Sequence, residues 1–436
     1  MTRSAVSLGA TAVRPSSAAA PGALPRLLPL CPPRPPRPAS LDSHLSRYGP
    51  PPCPAPGQRD MRTLIAEVGR AGLTGRGGAR FPTADKLAAV AAGRAPAVIG
   101  NGTEGEPASA KDKVLMARSP HLVLDGAVLA AQMVGASQAV IVAHRDARDV
   151  LGQAAAERRR ARLDQVQVTV RTAADRFVAG QASAVVRWIE HGVPAPTAMP
   201  PRLSDRGLGG RPTLVQNVET LAHLALIARY GARWFRSVGT PAEPGSMLVT
   251  VAGAVREPCV LEIAIGTPVG QVLDLAGGPA APLHALLLGG YSGAWVDAAQ
   301  AVGRPFSAAG LAGLGAEPGA GLIVALPAGA CGLAETARVV RYLAGESAGQ
   351  CGPCRFGLPA VASEFERVAD GRPADLGLLR KWLGQIDGRG GCAHPSGAVR
   401  LVRSALRTFG TELTQHAAGS CGGTAQVLPV PSPGPR

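Results

Sequence analysis

The stretch AVIGNGTEGEPASAKD, residues 97–112, starts as a short apolar run and turns abruptly into Gly, Asn, Thr and Glu. A continuous apolar run bounded by turn residues reads as a strand buried on both faces, with a polar loop leaving its carboxyl end. Loops at the carboxyl ends of parallel strands are where such sheets bind ligands. Asn101, Glu104, Glu106, Lys111 and Asp112 cluster in that loop.

Upstream, the helical pattern MRTLIAEVGRAG from Met61 runs into GLTGRGGARFPT, residues 72–83. Gly72, Gly75, Gly77 and Gly78 let this backbone approach a ligand closely, and its amides can cradle phosphate beside Arg76. An ordinary flexible loop has the same composition. The pattern is not G-x-G-x-x-G, because Arg80 takes the last position, and no Gly-Lys-Ser/Thr follows to make a P-loop. Downstream come a helix (HLVLDGAVLAAQMVGA), a strand (AVIVAHR), an Arg-rich amphipathic helix over 146–163 and another strand (VQVTVRTA). Strands alternating with helices predict an α/β layer structure with a largely parallel sheet.

Around 245–300 the pattern changes to two β-rich runs, a turn and one short helix, a small α+β module. After GLIVALP the chain reads as mainly helical, near 333–345, 355–370 and 396–410. The expected division is a disordered Pro/Ala/Arg-rich tail at 1–40, an α/β domain at 41–239, the α+β module at 240–325, a helical domain at 326–412 and a disordered tail at 413–436.

The formal charge of +15 rests mostly on scattered Arg, and aromatics are only 3% of the 436 residues, so stacking platforms for bases are scarce and nucleic-acid binding is not expected. No run of about 18 apolar residues predicts a membrane-spanning helix. Eight cysteines are too few for a disulfide scaffold. Cys31, Cys53, Cys259, Cys331 and Cys421 stand alone and read as ordinary thiols. Cys351 and Cys354, in ESAGQCGPCR (346–355), have metal-site spacing, and Cys392 follows in GRGGCAHPSG (388–397).

Together these segments resemble the family of flavoprotein, NADH-oxidising subunits of NADH:quinone oxidoreductase (respiratory complex I), shared with NAD-reducing hydrogenases and NAD-dependent formate dehydrogenases. The family's signatures, approximately G-L-R-G-R-G-G-A-G-F-P-T, N-A-D-E-G-E-P-G, G-E-E-T-A-L, G-x-P-T-x-x-N-N-V-E-T and E-S-C-G-x-C-x-P-C-R, have ordered counterparts here. They are GLTGRGGARFPT, NGTEGEPAS, GQASAVV from Gly180, GGRPTLVQNVET from Gly209, and ESAGQCGPCR. The resemblance spans about residues 45–412. It implies an α/β flavin-binding domain, a ubiquitin-like β-grasp module and a C-terminal helical bundle with an iron–sulfur site. Carried over by position, Gly75, Arg76, Gly77, Lys86, Asn101, Glu104, Gly180, Asn217 and Thr220 contact FMN, while Phe81 and Glu106 contact NADH. A flavin is needed because NADH delivers two electrons as a hydride and a cluster accepts one at a time.

Four cysteines hold the family's [4Fe–4S] cluster; here Cys351, Cys354 and Cys392 match three, and Ala348 occupies the remaining position. The resemblance therefore leaves a [4Fe–4S] cluster with a non-cysteine fourth ligand, from Ser347, Glu346, His394 or water, or a [3Fe–4S] cluster. Zinc held by the three cysteines and His394 is the alternative. Arg80, Thr103, Gln181 and Ala182 also depart from the family pattern, as do Met199 and Arg202. The two arginines leave open whether NADH or NADPH is the substrate, and whether the dinucleotide site is blocked. The implied function is a cytoplasmic NAD(P)H dehydrogenase subunit at the inner face of a membrane complex, passing electrons to a ferredoxin-like or other iron–sulfur partner. The alternatives are a non-catalytic redox scaffold and a zinc-stabilised interaction module.

Overall fold

The computed structural model describes residues 24–29, 38–52, 61–197, 201–421, 423 and 426–431. The N-terminal unit comprises α1 (Leu41–Tyr48), α2 (Met61–Ala71), α3 (Thr83–Ala91), β1 (Ala97–Gly102), α4 (Lys111–Arg118), α5 (Pro120–Val134), β2 (Gln138–Ala143), α6 (Arg145–Arg160), β3 (Gln167–Thr172), α7 (Ala182–His191), β4 (Thr213–Asn217) and α8 (Val218–Phe235). Its four strands form a wholly parallel sheet in the order β3-β2-β1-β4. Asn101 and Asn217 are register partners at the carboxyl ends of β1 and β4. This α/β arrangement agrees with the strand–helix alternation of the sequence. β4 and the start of α8 leave no such signal in GGRPTLVQNVET, where Gly, Pro and Asn hide a five-residue strand.

The apolar helices α5 and α8 pack against each other at the centre of the main core. A Cβ on Gly126 would lie 1.9 Å from the Leu221 carbonyl oxygen, so glycine sets how closely these two helices approach. Buried Asp125 of α5 gathers His44 (2.8 Å), Arg158 (2.8 Å) and Arg229, clamping α1, α6 and α8 around one carboxylate.

The middle unit contains β5 (Ser246–Gly253), β6 (Cys259–Ala264), α9 (Val269–Leu275), β7 (Leu283–Leu288), β8 (Ala294–Asp297), α10 (Ala298–Ala301), α11 (Ala308–Ala312) and β9 (Leu322–Pro327). Its mixed five-stranded sheet has the order β6-β5-β9-β7-β8, with β5 and β9 parallel. α12 (Gly332–Gly345), α13 (Leu358–Ala369), α14 (Leu376–Ile386), α15 (His394–Thr408) and α16 (Gly410–Ala417) complete the chain. Among the described residues no single helix is long and apolar enough to cross a membrane.

Both ends depart from the disorder expected of them, as far as they are described. Leu27 and Leu28 are fully buried, and the Arg26 and Leu27 amides both donate to Glu262 Oε2 at 2.7 Å. At the other end, α16 extends to Ala417, and the Val427 and Leu428 amides donate to the Glu335 carboxylate at 3.0 Å. The composition of both ends is that of a tail, but a Leu-Leu pair and a buried carboxylate suffice to dock short segments.

Candidate functional site

Three loops meet above Asn101 and Asn217. The glycine-rich loop folds as a tight hairpin, with Thr74 bridged to Pro82 and the Gly75 amide donating to Phe81 O (3.0 Å). A Cβ on Gly77 would touch the Asn217 side chain at 3.4 Å, so this glycine lets the loop lie over the end of β4. The Arg76 amide donates to Thr220 Oγ1 (2.9 Å) at the start of α8, tying loop to helix. The Arg76 side chain is buried, and burial lowers its pKa to about 10. Its Nε has no hydrogen-bond partner.

Lys86, on the first turns of α3, donates to Val215 O (2.6 Å), which occupies one of three N–H donors. Burial lowers its pKa to about 8. Asn101 Nδ2 donates to Gly180 O (2.8 Å), so the helical turn Phe177–Gly180 is fastened to the end of β1. Asn217 caps α8 through its Oδ1, which accepts from the Glu219 amide (3.0 Å), while its Nδ2 donates to Asp112 Oδ2 (2.6 Å).

The two glutamates of the loop after β1 have different tasks. Glu104, at φ +45°, accepts from the Asp112 and Lys113 amides (3.0 and 2.8 Å) and from Ser109 Oγ (2.6 Å), satisfying the free N–H groups at the start of α4. Glu106 accepts from the Tyr291 amide at 2.8 Å, and its Oε1 is buried without a partner. Burial, against hydrogen bonds from the Tyr291 and Ala108 amides, raises its pKa to about 7. Phe81 presents a ring that is 51% exposed. The hairpin, the strand ends and an orphaned carboxylate oxygen are chemically suited to a flavin phosphate and a dinucleotide rich in hydroxyl donors.

Nearby charges have roles that the sequence does not announce. Lys111 Nζ lies 2.8 Å from both Asp112 and Glu219 in a buried triad. Glu219 opposes its own desolvation through Lys111 and is held down at about 2. The one available signal is the acid–base pattern at 111–112, which reads equally as a solvated loop. Of the departures from the family pattern, Arg80 sits at φ +52°, where the family has glycine, and its guanidinium pairs with Glu243. Thr103 is buried, Arg202 is exposed, and Met199 lies outside the described residues.

The cysteine site lies at the start of α13 and just before α15. Burial opposes ionisation of Cys351, but N–H groups of Gly391 and Cys354 hold its pKa below the ordinary thiol range. Burial and the neighbouring Cys351 and Cys392 push Cys354 up to about 12, with the Ser347 hydroxyl opposing. Cys354 therefore lies within reach of both other sulfurs.

The other candidate ligands are differently placed. Glu346 accepts from the Phe177 amide (2.7 Å) and Arg176 Nε (3.1 Å), and His394 Nε2 lies 2.8 Å from Leu343 O. That bond leaves His394 Nδ1 buried without a partner, but among the described residues His394 and the three cysteines do not close into a set within 4.8 Å of one another. Arg187 reaches Gln350 (3.0 Å), so the cysteine loop is fastened to α7 as well as to the turn Phe177–Gly180. That four-residue turn spans only about 8 Å at a 3₁₀ rise. It links Asn101 at one end to the cysteine loop at the other.

Three regions of the chain match known family models: the Nuo51 FMN-binding domain at residues 68–226, the SLBB domain at 248–290 and the NADH-ubiquinone oxidoreductase-F iron–sulfur binding region at 334–416. The second F subunit of NADH-quinone oxidoreductase in Rhizobium meliloti (strain 1021) is 30% identical, over 81% of this chain and 88% of that protein. The F subunit of NADH-quinone oxidoreductase in Streptomyces coelicolor is also 30% identical, over 82% and 83%. Among solved structures, an NAD⁺-reducing [NiFe]-hydrogenase in the H₂-reduced state superposes with a TM-score of 0.76 at 32% identity. The match covers 82% of this chain and 63% of that one, so the chain spans under two thirds of the hydrogenase polypeptide.

Proposed function

The chain belongs to the family of NADH-quinone oxidoreductase F subunits, NADH dehydrogenase-type oxidoreductases with FMN-binding and 4Fe–4S regions, and from that premise we propose how its residues divide the work. When bound, FMN accepts hydride from NADH, and the iron–sulfur cluster carries single electrons onward.

Lys86 and the Gly77 amide hold the flavin phosphate and ring edge, with Gly75 closing the hairpin through its bond to Phe81 O. Asn101, Gly180, Asn217 and Thr220 shape the floor beneath, with Arg76 and Glu104 fixing the loops. Phe81 stacks on the dinucleotide, and Glu106 accepts from its hydroxyl groups. The unpartnered, buried Glu106 Oε1 carries this reading, because an orphaned acceptor costs free energy until a donor arrives. Cys351, Cys354 and Cys392 ligate the cluster. Ser347, beside Cys354, is the side chain assigned to the fourth iron; Glu346 is held by Phe177 and Arg176, and His394, whose Nδ1 is unpartnered, is the second candidate.

The pairing of Arg80 with Glu243 supports NADH over NADPH as the substrate: the guanidinium is neutralised, so it offers no free charge to a 2′-phosphate. The mixed sheet of the middle unit fits a β-grasp-type module. The partner is an iron–sulfur electron-transfer subunit of a larger complex. Steady-state oxidation of NADH and NADPH by the purified protein, with an artificial acceptor, tests the assignment. NADH should give the higher kcat/KM by at least tenfold; equal or better use of NADPH would overturn the role given to Arg80.

A further inference from the structure

Cys331 and Cys421 are 90 positions apart in sequence and show no motif, yet the fold brings them together. Cys331 caps α12 and is buried. His416, on α16, is also buried, and Cys421 follows it at the surface. One ligand atom from each lies within 4.8 Å of the others, and this is the set of three that closes so tightly among the described residues. Cys331 Sγ and His416 Nε2 are 3.3 Å apart. Two ligands on one tetrahedral zinc, at about 2.3 Å for sulfur and about 2.0 Å for nitrogen, would be separated by roughly 3.5 Å.

The surroundings prepare these groups further. His416 Nδ1 lies 2.6 Å from Ala369 O. A hydrogen bond there places the proton on Nδ1 and leaves the Nε2 lone pair facing Cys331, the arrangement that orients metal-binding imidazoles. Glu412 holds the Gly332 and Leu333 amides (2.9 and 3.3 Å), and its other oxygen lies 3.0 Å from His284 Nε2. That carboxylate is therefore committed beside the site. Gly423 continues the approach, since a Cβ there would lie 2.3 Å from the Cys331 nitrogen. The segment carrying Cys421 thus runs directly over the helix start.

We propose that Cys331, His416 and Cys421 form a zinc site, separate from the iron–sulfur site, that pins the C-terminal segment to the start of α12. Both thiols give up their protons to water on binding, no electrons move, and a water on the exposed Cys421 side completes the tetrahedron. The site holds down the segment whose Val427 and Leu428 amides cap Glu335.

The test is zinc and iron content by elemental mass spectrometry on the full-length protein, purified from zinc-supplemented medium. About one zinc per chain is expected in the wild type and in Cys354→Ala, where it is not a substitute for iron. It should be lost in Cys421→Ser and His416→Gln. Cys421 is exposed, so Cys421→Ser should keep its flavin and iron, showing that it folds. Zinc that follows Cys354 instead of Cys421, or background zinc in the wild type, overturns the proposal. So does a Cys331–Cys421 disulfide, read by peptide mapping without reduction.

Discussion

Glu106 and Arg80 show what single residues decide at this site. Glu106 ionises near pH 7 because burial raises its pKa, and only the carboxylate accepts from two hydroxyl donors. As pH rises through about 7, KM for NADH should fall. Glu106→Gln should flatten that pH dependence and weaken NADH by roughly tenfold, about 1.4 kcal/mol; an unchanged KM–pH profile would remove Glu106 from the dinucleotide site. For Arg80, a left-handed backbone costs a side chain about 1–2 kcal/mol, and the Glu243 pair offsets part of that cost. Arg80→Gly should accordingly change stability by less than about 1 kcal/mol and leave KM for NADH within about twofold, as read by denaturant unfolding and steady-state kinetics. Residue identities at the motif positions are legible in the sequence; their partners are not. Nothing local to GARFPT announces Glu243, and nothing in TEGEP separates Glu104, a helix cap, from Glu106, an orphaned acceptor.

At the scale of elements, the parallel sheet is readable because β1 and β2 are short apolar runs and β3 alternates valine with polar residues. β4 is not, because its five residues sit between Arg-Pro and an Asn cap. The helices near 333–345 and 396–410 follow from their amphipathic spacing; α14, absent from the expected helices, carries the same spacing at Leu379, Leu383 and Ile386, whereas the pairing of Cys331 with Cys421 depends on tertiary folding. Gly126 gives an element-scale prediction. Gly126→Ala forces α5 off the Leu221 carbonyl and should lower stability by roughly 3 kcal/mol in denaturant unfolding, the upper end of ordinary overpacking. A loss below about 1 kcal/mol would mean that the two helices can part without cost.

For the whole molecule, Asp125 joins elements far apart in sequence, and its charge couples the fold to pH. His44 and the cations of Arg158 and Arg229 overcome the cost of burial and hold its pKa at about 2, below the ordinary 3.8. Its contribution is complete above about pH 4 and is lost as pH falls through 2, an effect of about 2 kcal/mol. Asp125→Asn should remove that acid dependence and cost about 3–5 kcal/mol at neutral pH by stranding Arg158. Chemical unfolding between pH 2 and 7 reads both.

The same long-range organisation carries the functional claim, since the flavin loops and the cysteine loop are joined through the turn Phe177–Gly180 and Glu346. The most direct measurement adds NADH anaerobically to the purified protein and follows flavin absorbance and low-temperature EPR on the same sample. The account predicts that the flavin bleaches and a reduced-cluster signal appears, and that Cys392→Ala bleaches without the signal. Bound flavin that NADH leaves oxidised would contradict it.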